Sequence, residues 1–597
     1  MIDVPPYSRA GLLALVVSVS AAAEGAEPAE VVVTATRTAQ IADESLASVI
    51  VIDQDEIARS GAQDVGDLLR FHAGLDIGRN GGAGQTTSLF MRGTDSNHTL
   101  VLLDGVRINP GTLGGAAIQN LAPNLIERIE IVKGPRSTLY GSDAIGGVIN
   151  IITRRETTGT SGRVATAAGT YGTRKAGGSV LFGSDSFRAD LDAETLRTDG
   201  FPTLAAADLA RGYDNTSVNA RLETGAGPDR IALRHFQTSG NTEYFDFFVN
   251  PVDQDFLNSV TALDLSSSPM DIWSTRLTIA RMRDEIDQNQ SIDFAHTTRD
   301  TVDWQNDVQI DTDQLVSAGV WLSRGDISSL SFGTGFDEIV DVRAAYLQDD
   351  VTHGAHHLLV AARHTDQDSF GGYTTWDLEY GYHISEQGRV TAAIGTAFRA
   401  PDATDLFGFG GNPYLLPETA RNIEIGLHYS HARGQSFETS VFDNHIKDLI
   451  EYDLNTSRVI NIGRAHIRGV EATYSLTRRL WYARFEGILQ RPENELTGEL
   501  LPRRAARTLS ANLSVTPGIY EFAADLLATG RRRDSDFSST ELGGYVLLTV
   551  SGAVHWRRDW TVNVKVENVL DKDYQLASGF NTAGRSYLLE LSYRTPG

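Results

Sequence analysis

The chain has 597 residues, with Gly 57, Cys 0 and a formal net charge of −25 from Lys+Arg 52 against Asp+Glu 77. Disulfides and thiolate metal sites are therefore excluded, and the acidic excess argues against nucleic acid as a partner. A mean hydropathy of −0.21 excludes a polytopic helical membrane protein. It leaves open a transmembrane β-barrel, whose lipid-facing and lumen-facing residues average out.

Arg9 precedes the apolar run Ala10–Val19 and the small residues Ala21, Ala22 and Ala23. This pattern predicts a secretory signal peptide over residues 1–23; the run is too short to span a bilayer as a helix. A polar, flexible lead follows (residues 24–47), holding the β-branched hexamer Glu30, Val31, Val32, Val33, Thr34 and Ala35. The hexamer reads either as the first strand of the next domain or as an extended segment that adds to a partner's sheet edge. Val49–Asp53 reads as a strand. Asp53–Ser60 reads as a helix with an Asp cap and Glu56 three residues on, and Asp64–Phe71 as a second helix. A Gly-rich loop, Gly78–Gly84, leads to three apolar strands, Leu100–Leu103, Ile129–Val132 and Val148–Ile152, separated by glycine-dense charged turns. The first domain is placed at 48–155.

From 156 to 597 the pattern becomes period-2 alternation with hairpin turn signals. Ile423, Ile425, Leu427 and Tyr429 share one face, and Glu424, Gly426 and His428 the other; Val562, Val564 and Val566 alternate with polar residues, as do Tyr587, Leu589, Leu591 and Tyr593 with Leu588, Glu590, Ser592 and Arg594. A strand between lipid and a wet lumen needs such faces, and a soluble sandwich strand shows them too. The turns favour the membrane. Trp556 and Trp560 bracket one short turn and Trp481 follows another, as at a bilayer interface. Thr238–Asn258 and Asp284–Thr301 read as long acidic loops. Roughly 440 residues at about 20 per strand give about 22 strands.

The first domain carries MRG at Met91–Gly93, LLDGVR at Leu102–Arg107, IERIEIVKGPRS at Ile126–Ser137 and YGSDAIGGVINIIT at Tyr140–Thr153. The second carries FRAP at Phe398–Pro401, GNPYLLPE at Gly411–Glu418, IRGVEA at Ile467–Ala472 and VENVLDKDY at Val566–Tyr574. In this order the motifs resemble the TonB-dependent outer-membrane receptors. The resemblance implies a transmembrane β-barrel of about 22 antiparallel strands with an N-terminal α+β plug domain in its lumen. The hexamer Glu30–Ala35 becomes a TonB box, and the partners TonB, the ExbB–ExbD energising complex, outer-membrane lipid and lipopolysaccharide, and a periplasmic substrate-binding protein. The expected form is a monomer in the outer membrane.

Within the family the stretches Asn80–Asn109, LIEYD at Leu449–Asp453, LLPRRA from Leu500 and NTAGRSY at Asn581–Tyr587 resemble the cobalamin (vitamin B12) receptors. That branch implies corrinoid contacts at Thr86, Ser88, Asp95, Leu113 and Gly114 of the plug and at Arg503 and Phe537 of the barrel. Each is otherwise a solvated loop residue. The branch also binds calcium on Asp-rich loops. Here Pro202 and Arg211 stand where acidic ligands are expected, leaving Tyr244, Asp246, Asp253 and Asp255 as oxygen donors or as an ordinary acidic loop. The chain ends Tyr593-Arg594-Thr595-Pro596-Gly597 in place of the branch's terminal aromatic.

No cofactor is implied. Arg92 and Arg136 are expected to lock the plug against lumen carboxylates such as Glu424 and Glu471, the alternative being solvated arginines. The glycines of GSDAIGG are expected to permit tight packing. A haem receptor would carry a histidine between FRAP and Asn-Pro, and DATDLFGFGG has none. A ferric-siderophore receptor is the alternative reading. A signalling receptor needs a periplasmic domain for which the short lead leaves no room. A passive porin needs neither plug nor box, and an enzyme is disfavoured because the 14 histidines show no metal-ligand spacing and no phosphate-binding glycine loop is present.

Overall fold

The computed structural model describes residues 32–33, 37, 40–41 and 44–595, apart from 156–158, 432–433, 454–455, 536–537 and 558. The signal-peptide region and Glu30, Val31, Thr34, Ala35 and Phe537 lie outside the described residues.

The N-terminal part opens with β1 (Val32–Val33), paired antiparallel with β2 (Gln40–Ile41). The plug follows with β3 (Val49–Ile52), α1 (Gln54–Ser60), α2 (Val65–Leu69), β4 (Leu75–Arg79), β5 (Thr87–Met91), β6 (Thr99–Leu103) and β7 (Val106–Arg107). It ends with β8 (Ile126–Lys133), α3 (Ser137–Tyr140) and β9 (Gly147–Thr153). Asp53 caps α1, its carboxylate accepting the Glu56 N–H at 2.8 Å, and Asp64 caps α2 through the Asp67 N–H at 2.9 Å. Both satisfy amides that a helix start leaves unpaired. The second helix stops at Leu69, short of the expected Phe71, and its cap residue is followed by a turn into Gly74.

Five strands form one sheet in the order β3-β8-β9-β6-β7, with β6 and β9 parallel, and β4-β5 form a separate ribbon. Among the apolar positions of these strands, Ile52, Met91, Ile129, Ile131, Ile149 and Ile151 are buried and make one cluster with Leu69 of α2. At Gly147 (φ +151°) an added Cβ would stand 2.3 Å from the Val132 carbonyl oxygen and 2.4 Å from the Met91 sulfur. Glycine is needed there so that β9 can lie against β8.

Twenty-two antiparallel strands, from Gly159–Gly169 to Ser586–Arg594, close into a barrel. The first and last pair in register from Arg163↔Arg594 to Gly169↔Leu588, so no sheet edge is left open. Outward faces are apolar: Ile423, Ile425, Leu427, Tyr429, Leu589 and Leu591 are exposed, while Glu418, Asn422 and Lys565 are buried toward the lumen. One rim has short turns (227–228, 271–272, 354–355, 479–480); the other carries 203–209, 400–417, 495–506, 530–544 and 568–585. Trp481, Trp556 and Trp560 stand at the short-turn rim and are exposed.

Two expected loops are strand. Asp229–Phe245 and Pro251–Met270 stay paired up to Phe245↔Pro251, leaving 246–250 as the turn. Trp273–Gln288 and Phe294–Gln309 likewise leave only 289–293. Beyond the lipid, outward residues have no apolar solvent to face. The alternation fades while the backbone hydrogen bonds continue.

Candidate functional site

The plug meets the barrel wall through charge. Arg92 follows β5 in a left-handed turn (φ +48°) that aims its side chain across the lumen. Its guanidinium donates to both Glu424 oxygens at 2.8 and 2.9 Å and to Ser440 Oγ at 3.1 Å, and also contacts Glu471. It sits 4.7 Å over the Phe442 ring. Lys133, at the end of β8, donates to Glu471 at 3.0 Å. Two plug cations thus face two wall carboxylates. Arg136 also meets a lumen carboxylate, Glu379 in place of the two named, because α3 turns it toward the strand Gly371–Ser385.

Three further contacts were not anticipated. His72 lies between Glu56 at 3.3 Å and wall residue Glu486 at 3.2 Å. Burial opposes its charge, yet the two carboxylates carry the imidazole up to about 9. His98 meets Glu418 at 2.6 Å, which also takes the Arg399 guanidinium at 2.5 Å. Arg37 reaches Asp303 at 2.5 Å, its guanidinium 4.8 Å from the Tyr346 ring and 5.3 Å from that of Tyr140. A lone His or Arg in a polar stretch carries no sequence signal of a partner hundreds of residues away.

On the long-loop side the plug apices lie under outer loops. The loop 400–417 carries α4 (Ala403–Phe407), whose Ala403 and Thr404 amides donate to the carbonyls of Gly111 and Thr112. Thr86 is exposed and Ser88 half-buried. Leu113 is 61% exposed, and buried Gly114 (φ +71°) accepts the Asn109 side-chain amide at 2.7 Å. Asp95 ion-pairs with Arg504 at 2.9 Å. Burial works to raise its carboxyl, but Arg504 and His98 hold it well below the usual carboxylate range. Arg503 donates to the Asp534 carbonyl at 3.2 Å and lies close to Gly78 of β4. Loop tips expose large apolar side chains: Phe247 85%, Phe248 71%, Phe332 68% and Tyr414 88%. No sequence pattern distinguishes these from scattered surface aromatics.

The oxygen donors expected for calcium are occupied by amides. Asp253 accepts from Asn241, Asn289 and Gln290, Asp255 from Asn241, and Asp246 from Asn250 and the Phe248 amide. Tyr244 keeps a buried hydroxyl with no hydrogen-bond partner among the described residues. In this arrangement amide nitrogens satisfy the carboxylate lone pairs, and the carboxylate and amide oxygens gathered here are of the class that calcium takes.

Toward the short-turn rim, a cavity of about 800 Å³ separates the plug from the wall. It is lined by Arg107, Arg128, Arg221, Arg234, Glu223 and Asp264 among others. Three arginines, Arg188, Arg221 and Arg230, share the single carboxylate of Glu223.

A closed barrel of 22 strands, filled by a separate domain that ion pairs tie to its wall, is a gated outer-membrane receptor rather than an open pore. The family description "TonB dependent receptor-like, beta-barrel" matches residues 146–569, and "TonB-dependent Receptor Plug Domain" matches residues 42–148. The chain belongs to the TonB-dependent receptor family, whose members are outer-membrane proteins. Three solved structures share the fold. The siderophore receptor PirA from Acinetobacter baumannii is 18% identical with TM-score 0.80, covering 93% of this chain and 99% of that one. The ferric enterobactin receptor PfeA from Pseudomonas aeruginosa, in complex with enterobactin, is 16% identical with TM-score 0.80, covering 92% and 99%. The FrpB iron transporter from Neisseria meningitidis is 16% identical with TM-score 0.81, covering 92% and 100%.

Proposed function

We propose that the protein actively imports a bulky metal chelate across the outer membrane. The observation that carries this reading is the plug itself: it fills the lumen and is held there by buried ion pairs, so passage requires work. That work is supplied through residues 30–35, engaged by TonB with the ExbB–ExbD complex. A periplasmic substrate-binding protein receives the ligand.

For the ligand, the quoted cobalamin-receptor stretches support a corrinoid. The aromatic loop tips, together with exposed Leu113 and Thr86 at the plug apex, suit a flat apolar face edged with amides. A ferric siderophore is the second reading, favoured by the fold neighbours, which include a siderophore receptor and an enterobactin-bound receptor. The acid-rich rim, with Asp246, Asp293, Asp368 and Glu499 in or beside the loops, disfavours a strongly anionic chelate.

Equilibrium binding of cyanocobalamin to the purified receptor, with ferric enterobactin in parallel, tests the choice. The corrinoid reading expects submicromolar cyanocobalamin binding that a calcium chelator leaves unchanged. Binding weaker than micromolar refutes it.

A further inference from the structure

Along the chain the histidines show no metal-ligand spacing, but strand pairing brings two of them together. His445 and His466 are distant in sequence but directly opposite in register on the paired strands Gln435–Asp453 and Arg458–Arg478. Asp443 lies two residues before His445 on the same face. The alternate residues Phe442, Asn444, Ile446, Ala465 and Ile467 are buried toward the lumen, so this trio faces outward.

Asp443 receives both rings. His445 Nε2 is 3.0 Å from one of its oxygens and His466 Nε2 is 2.9 Å from the other. Ligand atoms of the three residues all lie within 4.8 Å of one another. Glu495, just beyond the end of the next strand, stands 3.3 Å from His445 Nδ1.

The geometry points to a divalent transition-metal site, of the zinc class, formed by Asp443, His445 and His466 on the outer wall of the barrel. A neutral imidazole has one N–H and one lone pair. His445 has a carboxylate at each nitrogen, so its neutral form can satisfy only one of them. A second proton or a metal cation at Nε2 resolves the conflict; with the metal, Nδ1–H donates to Glu495 and the Nε2 lone pair ligates. A carboxylate on the second ring nitrogen is the usual support for a ligating histidine.

Two imidazoles with a carboxylate favour zinc, nickel or copper over calcium or magnesium, which prefer all-oxygen shells. Metal–ligand bonds of about 2.0–2.2 Å put ligand atoms roughly 3.2–3.6 Å apart in a tetrahedron. The widest pair, within 4.8 Å, therefore has to close by about 1.2–1.6 Å at most. The rings are stacked, with centroids 4.1 Å apart and planes 12° apart, so they must splay to share an ion. Side-chain exposures of 49% and 22% leave them free to do so.

Nearer the short-turn rim the same outward faces are apolar, with Val441, Phe437, Val470 and Tyr474 exposed. The site thus sits at the upper border of the lipid band and would staple two strands whose pairing slips just above it, between Lys447 and Ile450. It is independent of which ligand the receptor carries.

Zinc titration of the untagged, full-length protein in detergent, monitored calorimetrically and by cobalt(II) ligand-field absorption, tests the assignment. One saturable site with a Kd of micromolar or below is expected. His445→Gln and His466→Gln should each weaken it at least tenfold, and His353→Gln, at the opposite rim, should leave it unchanged. Unaltered heat-modifiable gel mobility checks folding of each variant. Absence of saturable binding, or equal affinity in all variants, overturns the assignment.

Discussion

Replacing Arg92 by alanine strips Glu424 of a two-pronged guanidinium and leaves Glu471 with one cation, Lys133, beside the Ser48 and Ser440 hydroxyls. All three ionised side chains of this contact are largely buried, with exposures of 4%, 13% and 9% for Arg92, Glu424 and Glu471. Removing one partner of a buried pair costs about 3–5 kcal/mol, because the remaining charge is stranded. Lys133 offsets part of this at Glu471 but does not reach Glu424, so the lower half of the range, about 3–4 kcal/mol, is expected. At about 1.4 kcal/mol per tenfold, the population with a loosened plug rises by roughly two to three orders of magnitude. The readouts are protease cleavage within residues 80–155 on intact cells and sensitivity to large antibiotics that the barrel normally excludes. Arg92→Lys keeps the charge without the fork and should fall between. Unchanged cleavage and antibiotic exclusion in Arg92→Ala would refute the view that this contact holds the plug.

Two other outcomes follow, one from the plug–wall contact and one from packing within the plug. His72 titrates at about 9 in the folded protein against 6.5 unperturbed, a raised value, so its stabilisation is complete below about pH 6.5 and is lost as pH rises through 9. Denaturation midpoints measured across that window should fall, and His72→Gln should remove that part of the fall; an identical pH profile in the variant contradicts the assignment. Gly147→Ala forces a Cβ against the Val132 carbonyl and should destabilise the plug by at least about 2 kcal/mol. Gly105→Ala, at φ +83° with nothing within 4 Å, should cost only backbone strain of about 1 kcal/mol. Calorimetry on the two variants compares them directly.

Architecture was legible wherever one face meets an apolar phase. The Ile423–Tyr429 and Tyr587–Tyr593 alternations mark strands because lipid demands an unbroken apolar face. Once strands rise beyond the lipid, as at Thr238–Asn258, that demand ends and strand resembles loop. The plug sheet was legible for the opposite reason: burial on both sides makes β6 almost wholly apolar and leaves Asn150 as the one polar residue between Val148 and Ile152 of β9. Arg92, Glu424 and Glu471 could be named together because charged residues inside a lumen need partners. Which carboxylate each arginine chooses depends on barrel register, so Arg136 was placed without Glu379. His72 and His98 were invisible because their partners lie across the plug–wall contact, and the Asp443–His445–His466 trio because His466 arrives by strand pairing.

The central claim is that transport is driven through residues 30–35. Accumulation of labelled cyanocobalamin, or of the ferric chelate if that is what binds, should be measured in receptor-null cells expressing the wild type or a deletion of 30–35. The account predicts that the deletion retains surface binding but abolishes accumulation, as a protonophore does for the wild type. Accumulation at the wild-type rate in the deletion would contradict it.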